Sequence, residues 1–510
     1  MRSRRFRGPS VLLALTLAGC ARSSVPTVPR PDAGADAGPR EESADAGTDS
    51  GTDAAARLDA GFDAGTDAGP CAVEAEPCIG GVCHAGACCA GCWDGAACRS
   101  GDAVSACGTA GGACATCDDA DPCTVDSCEA GTCVATPVAD FDPCATGGVC
   151  VSGNCAVQMH RPAEVTTLGV CTTSLGPDMD GDGLADLAVM YRTRIFDGDT
   201  TWVVAYRAVD GTPLWTWTSA GYDATYWPER PLAAVPDMDG DGLGDVLVGL
   251  PRSGGVGQAG SLTWISGDTG VAYRTTLGPS AGAYFGESVS AGYDLDGDGV
   301  PDAVVEAPDS APPPGPEQPR ELIVDGATGA IRAELLLVGI YRPASLGPDA
   351  DGDGLADLVL TDRRGTRLLS GATLAERWSA ARSDSVSLGP DVDGDGLGDV
   401  VGGVDAAAAH LWSGATGGEL RTLDGVIFPV IGPDADGDGR GDLLVGSAPR
   451  RVELLSGVTG ATIMGADAMY ATSSIGPDAD GDGVPDIAAG AARRVISEVV
   501  LLGSRGWVRR

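Results

Sequence analysis

One nine-residue phrase, Asp-x-Asp-Gly-Asp-Gly-x-x-Asp, occurs seven times in this chain with unvarying internal spacing. We number the copies as loops 1 to 7. Their carboxylates, at positions 1, 3, 5 and 9, are Asp178, Asp180, Asp182 and Asp186 in loop 1 and Asp237, Asp239, Asp241 and Asp245 in loop 2. Loop 3 has Asp294, Asp296, Asp298 and Asp302, and loop 4 has Asp349, Asp351, Asp353 and Asp357. Loop 5 has Asp391, Asp393, Asp395 and Asp399, loop 6 has Asp434, Asp436, Asp438 and Asp442, and loop 7 has Asp478, Asp480, Asp482 and Asp486. Four carboxylates that close repel one another unless a cation neutralises them, and Ca²⁺ accepts six to eight oxygen ligands in a flexible shell. The glycines at positions 4 and 6 allow positive φ, so that alternate side chains can converge on one point.

The spacing and flanks decide what kind of loop this is. An EF-hand needs a bidentate Glu at position 12 and flanking helices. Position 12 here is Val189, Val248, Val305, Leu360, Gly402, Val445 and Ala489, and the flanks are β-branched and Gly-rich. The loops recur 59, 57, 55, 42, 43 and 44 residues apart, with four strand-like runs per unit. That period is the mark of propeller blades. In the fifth unit the runs are 385–388, 400–404, 408–412 and 419–423, with Ser413-Gly414-Ala415-Thr416-Gly417 as the turn before the last. Residues 163–168 read as a strand that pairs beside Val499–Leu502 and closes the ring, which would remove exposed sheet edges.

The ninth-position Asp followed by an apolar run resembles the calcium loop of the integrin-alpha-like FG-GAP/VCBS propeller. Phe285-Gly286-Glu287-Ser288-Val289, Asp294–Asp302 and Val304-Val305-Glu306-Ala307-Pro308 carry the likeness best. It spans about residues 160–510. It implies a structural Ca²⁺ in each loop, up to seven in all, held by the side chains at positions 1, 3, 5 and 9. The carbonyl at position 7 would be a further ligand: Leu184, Leu243, Val300, Leu355, Leu397, Arg440 and Val484. Arg440-Gly441-Asp442 spells an integrin-recognition tripeptide, but Asp442 is the ninth-position ligand and is expected to point inward.

The N-terminal third is different. Residues 1–19 read as an export signal, with Arg2, Arg4, Arg5 and Arg7 ahead of an apolar run, 11–17, too short to span a bilayer. Leu17-Ala18-Gly19-Cys20 resembles the lipobox of bacterial lipoproteins. The resemblance implies lipidation of Cys20 and, with Ala21 in place of Asp, an outer-membrane or cell-surface location. Residues 20–70 then carry Asp-Ala-Gly triplets with too little apolar surface to fold, a disordered linker with a reach of roughly 40 Å. Residues 71–157 hold 16 of the 18 cysteines, an even number in an exported segment and hence a disulfide framework. Two Cys-x-x-Cys pairs, Cys89 to Cys92 and Cys114 to Cys117, leave zinc as the lesser reading, and adjacent Cys88 and Cys89 are expected in different bridges. Asp121–Cys128 with Gly131-Thr132-Cys133 resembles the small Cys-rich repeats of bacterial surface proteins.

The fold expected is therefore all-β: a seven-bladed β-propeller with calcium loops over 160–510, preceded by a small disulfide-rich module and a disordered linker. The formal net charge of −39 excludes nucleic acid as a partner. Membrane contact is expected through the lipid alone. Only His84, His160 and His410 are present, and no nucleophile elbow, His-Glu-x-x-His or phosphate loop occurs. Asp210–Trp215 resembles the outer-strand motif of quinoprotein dehydrogenases but occurs once, as a packed strand end would. The expectation is a monomeric, non-enzymatic adhesion or binding protein with a protein or glycan ligand. The alternatives are a passive structural envelope protein and a calcium-dependent hydrolase or lyase acting on polysaccharide or phosphoester.

Overall fold

The computed structural model describes residues 73–78, 80–139, 142–144, 148–151, 154–159, 170–192, 200–220, 231–253, 257–308, 319–339, 344–404, 408–447, 451–467, 470–492 and 497–502. The export segment, Cys20, the linker and residues 163–168 lie outside these. Among the described residues the fold is all-β, without a helix, and its strands form many small antiparallel sheets.

The chain divides into two compact units, one covering Arg22–Asp119 and Asp126–Ala135, the other including Ala120–Val125 and the chain from Thr136 onward. The first is disulfide-rich. Among the described residues its bridges include Cys78–Cys88, Cys89–Cys98, Cys92–Cys114, Cys107–Cys128 and Cys117–Cys133. Cys88 and Cys89 do enter different bridges. All four thiols of the two Cys-x-x-Cys pairs are also consumed, so neither pair can ligate zinc. Small sheets such as the one formed by strands Pro77–Cys78, Gly81–His84 and Ala87–Cys89 bury few apolar side chains, and the bridges substitute for a larger core. His84 stacks on Trp93 at 4.8 Å and hydrogen-bonds Glu74 and the Gly111 carbonyl.

Among its described residues the second unit contains seven sheets. Sheet 5 shows the plan: Ser385–Gly389, Asp399–Val404, Ala408–Trp412 and Glu419–Asp424, each antiparallel to the next. Sheets 1, 2, 3, 4 and 6 repeat it, starting at Val170, Leu232, Val289, Ser345 and Val426. Loop 5 joins the first two strands of its sheet, as every loop does. Second strands such as Asp245–Leu250 and Asp357–Asp362 are buried throughout, because sheets pack on both their faces; this is why they read as unbroken apolar runs. Fourth strands such as Ile331–Leu336 alternate between half-buried and exposed.

Sheet 7 departs from expectation. It consists of Tyr470–Gly476, Asp486–Ala492, Ser497–Leu502, Asn154–Met159 and Val149–Val151. Val157, Gln158 and Met159 pair with Leu501, Val500 and Val499. The other edge of Ser497–Leu502 is taken by Asp486–Ala492, so no edge is left for 163–168. The pairing expected of that segment is made by a strand from the end of the Cys-rich tract. Two bridges, Cys123–Cys150 and Cys144–Cys155, brace it.

The buried apolar residues among those described separate into seven clusters, and each lies between two sheets. Trp264, Leu262 and Val305 pack between sheets 2 and 3. Val359, Leu388 and Trp412 pack between sheets 4 and 5, and Leu454, Met464 and Ile487 between 6 and 7. One cluster joins the last sheet to the first, through Met159, Ala479 and Ala488 against Leu187, Val189 and Tyr191. The first strands are also linked: the Ala234 N–H donates to Ser174 Oγ (2.9 Å), Leu388 to Ser345 (3.1 Å), and Leu175 to Ser474 (3.2 Å), the last again between sheets 1 and 7.

Candidate metal centre

The loops owe their shape to their own carboxylates. Asp391 Oδ1 accepts the Gly394 N–H at 2.5 Å, and its Oδ2 accepts Gly396 at 2.9 Å. Asp393 accepts from Asp395 (3.1 Å), and Asp395 from Leu397 (2.9 Å). The other six loops repeat these bonds, as in Asp178 with Gly181 and Gly183. Such Asx contacts require a left-handed backbone at positions 4 and 6; Gly394 and Gly396 have φ of 96° and 87°. The position-1, -3 and -9 carboxylates of loops 1 and 2 each bring an oxygen within 4.8 Å of the others, as do Asp294, Asp296 and Asp298 of loop 3.

The ninth-position aspartate is buried in every loop. One oxygen accepts the N–H of position 2, as Asp399 does from Val392 at 2.7 Å. In loops 2 to 6 the other oxygen accepts the N–H of the first glycine in the hairpin turn: Gly267, Gly326, Gly371, Gly414 and Gly457, at 2.8 to 3.1 Å. One side chain therefore ties the loop to the turn between strands three and four. A Cβ on Gly414 would lie 1.8 Å from the Gly398 carbonyl oxygen, so that turn position admits only glycine. In loop 7 the turn lies outside the described residues, and Asp486 Oδ1 is buried without a partner among those described.

Burial and neighbouring carboxylates push these groups up in the metal-free protein. Desolvation is the largest cause in each. Asp186 and Asp486 are raised to about 7, and Asp245, Asp302, Asp399 and Asp442 to about 6; Asp357 is also raised. A buried carboxylate facing other carboxylates needs a positive partner. The donor set is all oxygen, and Asp486 Oδ1 has no partner among the described residues, so the residues present fit a hard divalent cation held by positions 1, 3, 5 and 9. Such an ion would supply charge neutralisation and a cross-link, with no reaction implied.

Adjacent loops are also bonded through backbone. The position-8 N–H donates to the position-1 carbonyl of the preceding loop: Gly244 to Asp178, Ala356 to Asp294, Gly398 to Asp349, Gly441 to Asp391 and Ala185 to Asp478, at 2.7 to 3.1 Å. Ala185 belongs to loop 1 and Asp478 to loop 7. The pairs 2–3 and 6–7 lack this bond because position 8 is Pro301 in loop 3 and Pro485 in loop 7.

Sequence reasoning missed the basic side chains that reach these loops. Arg207 lies 2.5 Å from Asp180 and 3.4 Å from Asp182. Arg332 lies 3.1 Å from Asp296 and 3.3 Å from Asp302, and Arg377 lies 3.2 Å from Asp351. In loop 2 the Tyr273 hydroxyl donates to Asp245 at 3.1 Å. Aligning the turn phrases would have found them, since Tyr273, Arg332 and Arg377 each stand seven residues after the first turn residue (Ser266, Asp325, Ser370). Arg440 of the integrin-like tripeptide pairs with Asp391 at 2.8 Å, and Asp442 is fully buried, so its carboxylate faces inward as expected. Trp215 donates its indole N–H to the Gly267 carbonyl of the next sheet, a packed strand end. The Cys20 site and the side chain of Cys171 lie outside the described residues.

Among known proteins, residues 285–318 match the FG-GAP repeat family, the stretch that holds loop 3. Of solved structures, BBS1N in complex with ARL6DN, from crystals soaked with lead, is similar with a TM-score of 0.45 and 12% identity, over 70% of this chain and 99% of that one. The same complex soaked with mercury gives 0.45 and 13%, over 66% and 94%. Likeness of that degree carries no argument about function.

Proposed function

We propose that the seven sheets form a closed, seven-bladed, calcium-stabilised β-propeller of the integrin-alpha-like kind, with Asn154–Met159 completing the last blade. In this reading a lipid on Cys20 anchors it at the bacterial outer membrane or cell surface, the linker holds it away, and the propeller binds a protein or glycan ligand. The observation that carries the reading is the core shared by sheets 7 and 1, which gives every sheet two neighbours. The FG-GAP match at residues 285–318 supports it. Binding is favoured over catalysis because the clustered carboxylates hold loop backbone and a cation, which leaves them poorly placed as an acid and base.

Ligand contact falls to loops outside the repeat, including the insertions 252–260 and 308–319. A protein and glycan array, run with calcium and with chelator, tests this. Saturable, calcium-dependent binding to a defined set of targets is the expected result. Turnover of an arrayed substrate, or no binding at all, would overturn it.

A further inference from the structure

The seven loops share a sequence but not an environment. Loop 1 receives Arg207 from the end of its sheet's third strand, and its guanidinium contacts Asp180 and Asp182. Loops 3 and 4 receive Arg332 and Arg377 from the fourth strand. In loops 2 and 6 the same register is occupied by Tyr273 and Ile463, and the position equivalent to Arg207 is Ser266 and Ser456. Among the described residues no arginine reaches the carboxylates of either. Loops 1, 3 and 4 thus carry a strand-borne cation on oxygens that would ligate a metal, and loop 5 carries Arg440 of loop 6 on Asp391, whereas among the described residues no arginine lies on the carboxylates of loops 2 and 6.

We propose that Arg207, Arg332 and Arg377 are built-in counter-cations that compete with calcium at loops 1, 3 and 4, so that loops 2 and 6 fill before those three. The proposal rests on the calcium reading above. A guanidinium supplies one charge where Ca²⁺ supplies two, and a metal must displace its hydrogen bonds as well as meet its repulsion. The displacement is feasible: the three side chains are 37%, 32% and 50% exposed, so each can swing into solvent. Loops 1, 3 and 4 then stay folded when calcium is scarce, and loops 2 and 6 do not share that safeguard.

The test uses the full mature chain, stripped with chelator and titrated with Ca²⁺, with bound ions counted by native mass spectrometry and affinities taken from calorimetry. The wild type should show at least two affinity classes. Each of Arg207→Met, Arg332→Met and Arg377→Met should move one site from the weak to the tight class, a gain on the order of tenfold at that site. Arg382→Met, remote from the loops, should change nothing. Melting curves separate competition from a merely structural role: the loop variants should melt lower than wild type in chelator and level with it in calcium. A single class untouched by the substitutions, or variants that melt lower in both conditions, would overturn the proposal while leaving calcium binding intact. Absence of calcium from wild type and variants alike would sink both.

Discussion

Each ninth-position aspartate is bonded to backbone and surrounded by other carboxylates, and this fixes how stability must respond to pH. In the metal-free protein Asp186 and Asp486 sit at about 7 and Asp245, Asp302, Asp399 and Asp442 at about 6. An unfolded aspartate titrates near 4, so between about pH 4 and 7 the native state binds more protons than the unfolded one. Stability of the chelated protein therefore falls as pH rises through that window. A bound divalent cation reverses the trend, because it requires the ionised forms. We expect the chelated protein to melt higher at pH 5 than at pH 8, and the rise in Tm on adding calcium to be larger at pH 8. Thermal melts at both pH values, with and without calcium, read this directly; the opposite ordering would contradict it. The carboxylates themselves were legible in the sequence because their spacing is rigid. Their partners were not: Gly414, Arg332 and Tyr273 lie 15, 30 and 28 residues from the aspartates they bond. Nothing local marks such contacts.

The repeat unit was legible at the level of elements because each unit alternates apolar runs with Gly-rich turns. The runs expected in the fifth unit coincide with the observed strands to within a residue. The chain end was misread for a physical reason. Cys150 and Cys155 count towards the Cys-rich tract, but a count of cysteines does not say against what a bridge packs. Here Cys123–Cys150 and Cys144–Cys155 staple a strand pair whose apolar side chains, Val149, Val151 and Ala156, join the core between sheets 6 and 7. Met159 is buried against Leu187 and Ala488 in the core between sheets 7 and 1. Met159→Ala should accordingly cost about 3 kcal/mol in the unfolding of the seven-sheet unit, measured by denaturant titration. A change below about 0.5 kcal/mol would mean that Asn154–Met159 contributes nothing to that unit.

At the scale of the whole molecule, the seven sheets of the second unit are held by seven cores, by backbone bonds between loops, and in the proposed reading by calcium. The cores follow from the sequence pattern, and a pair of prolines accounts for the two loop-to-loop bonds that the structure lacks. The third depends on an ion, and a repeat can show where it would sit but not how firmly it is held. Mass action makes the claim measurable. A native-state site at a hundred times its dissociation constant adds about 2.7 kcal/mol, and several such sites add together when they are independent. The most direct measurement is the melting temperature of the full chain before and after chelation, with metal content determined on the same sample. Calcium that co-purifies, and a fall in Tm of more than about 10 °C on its removal, restored by calcium, is the predicted result. An unchanged melt with no calcium in the purified protein would contradict the account.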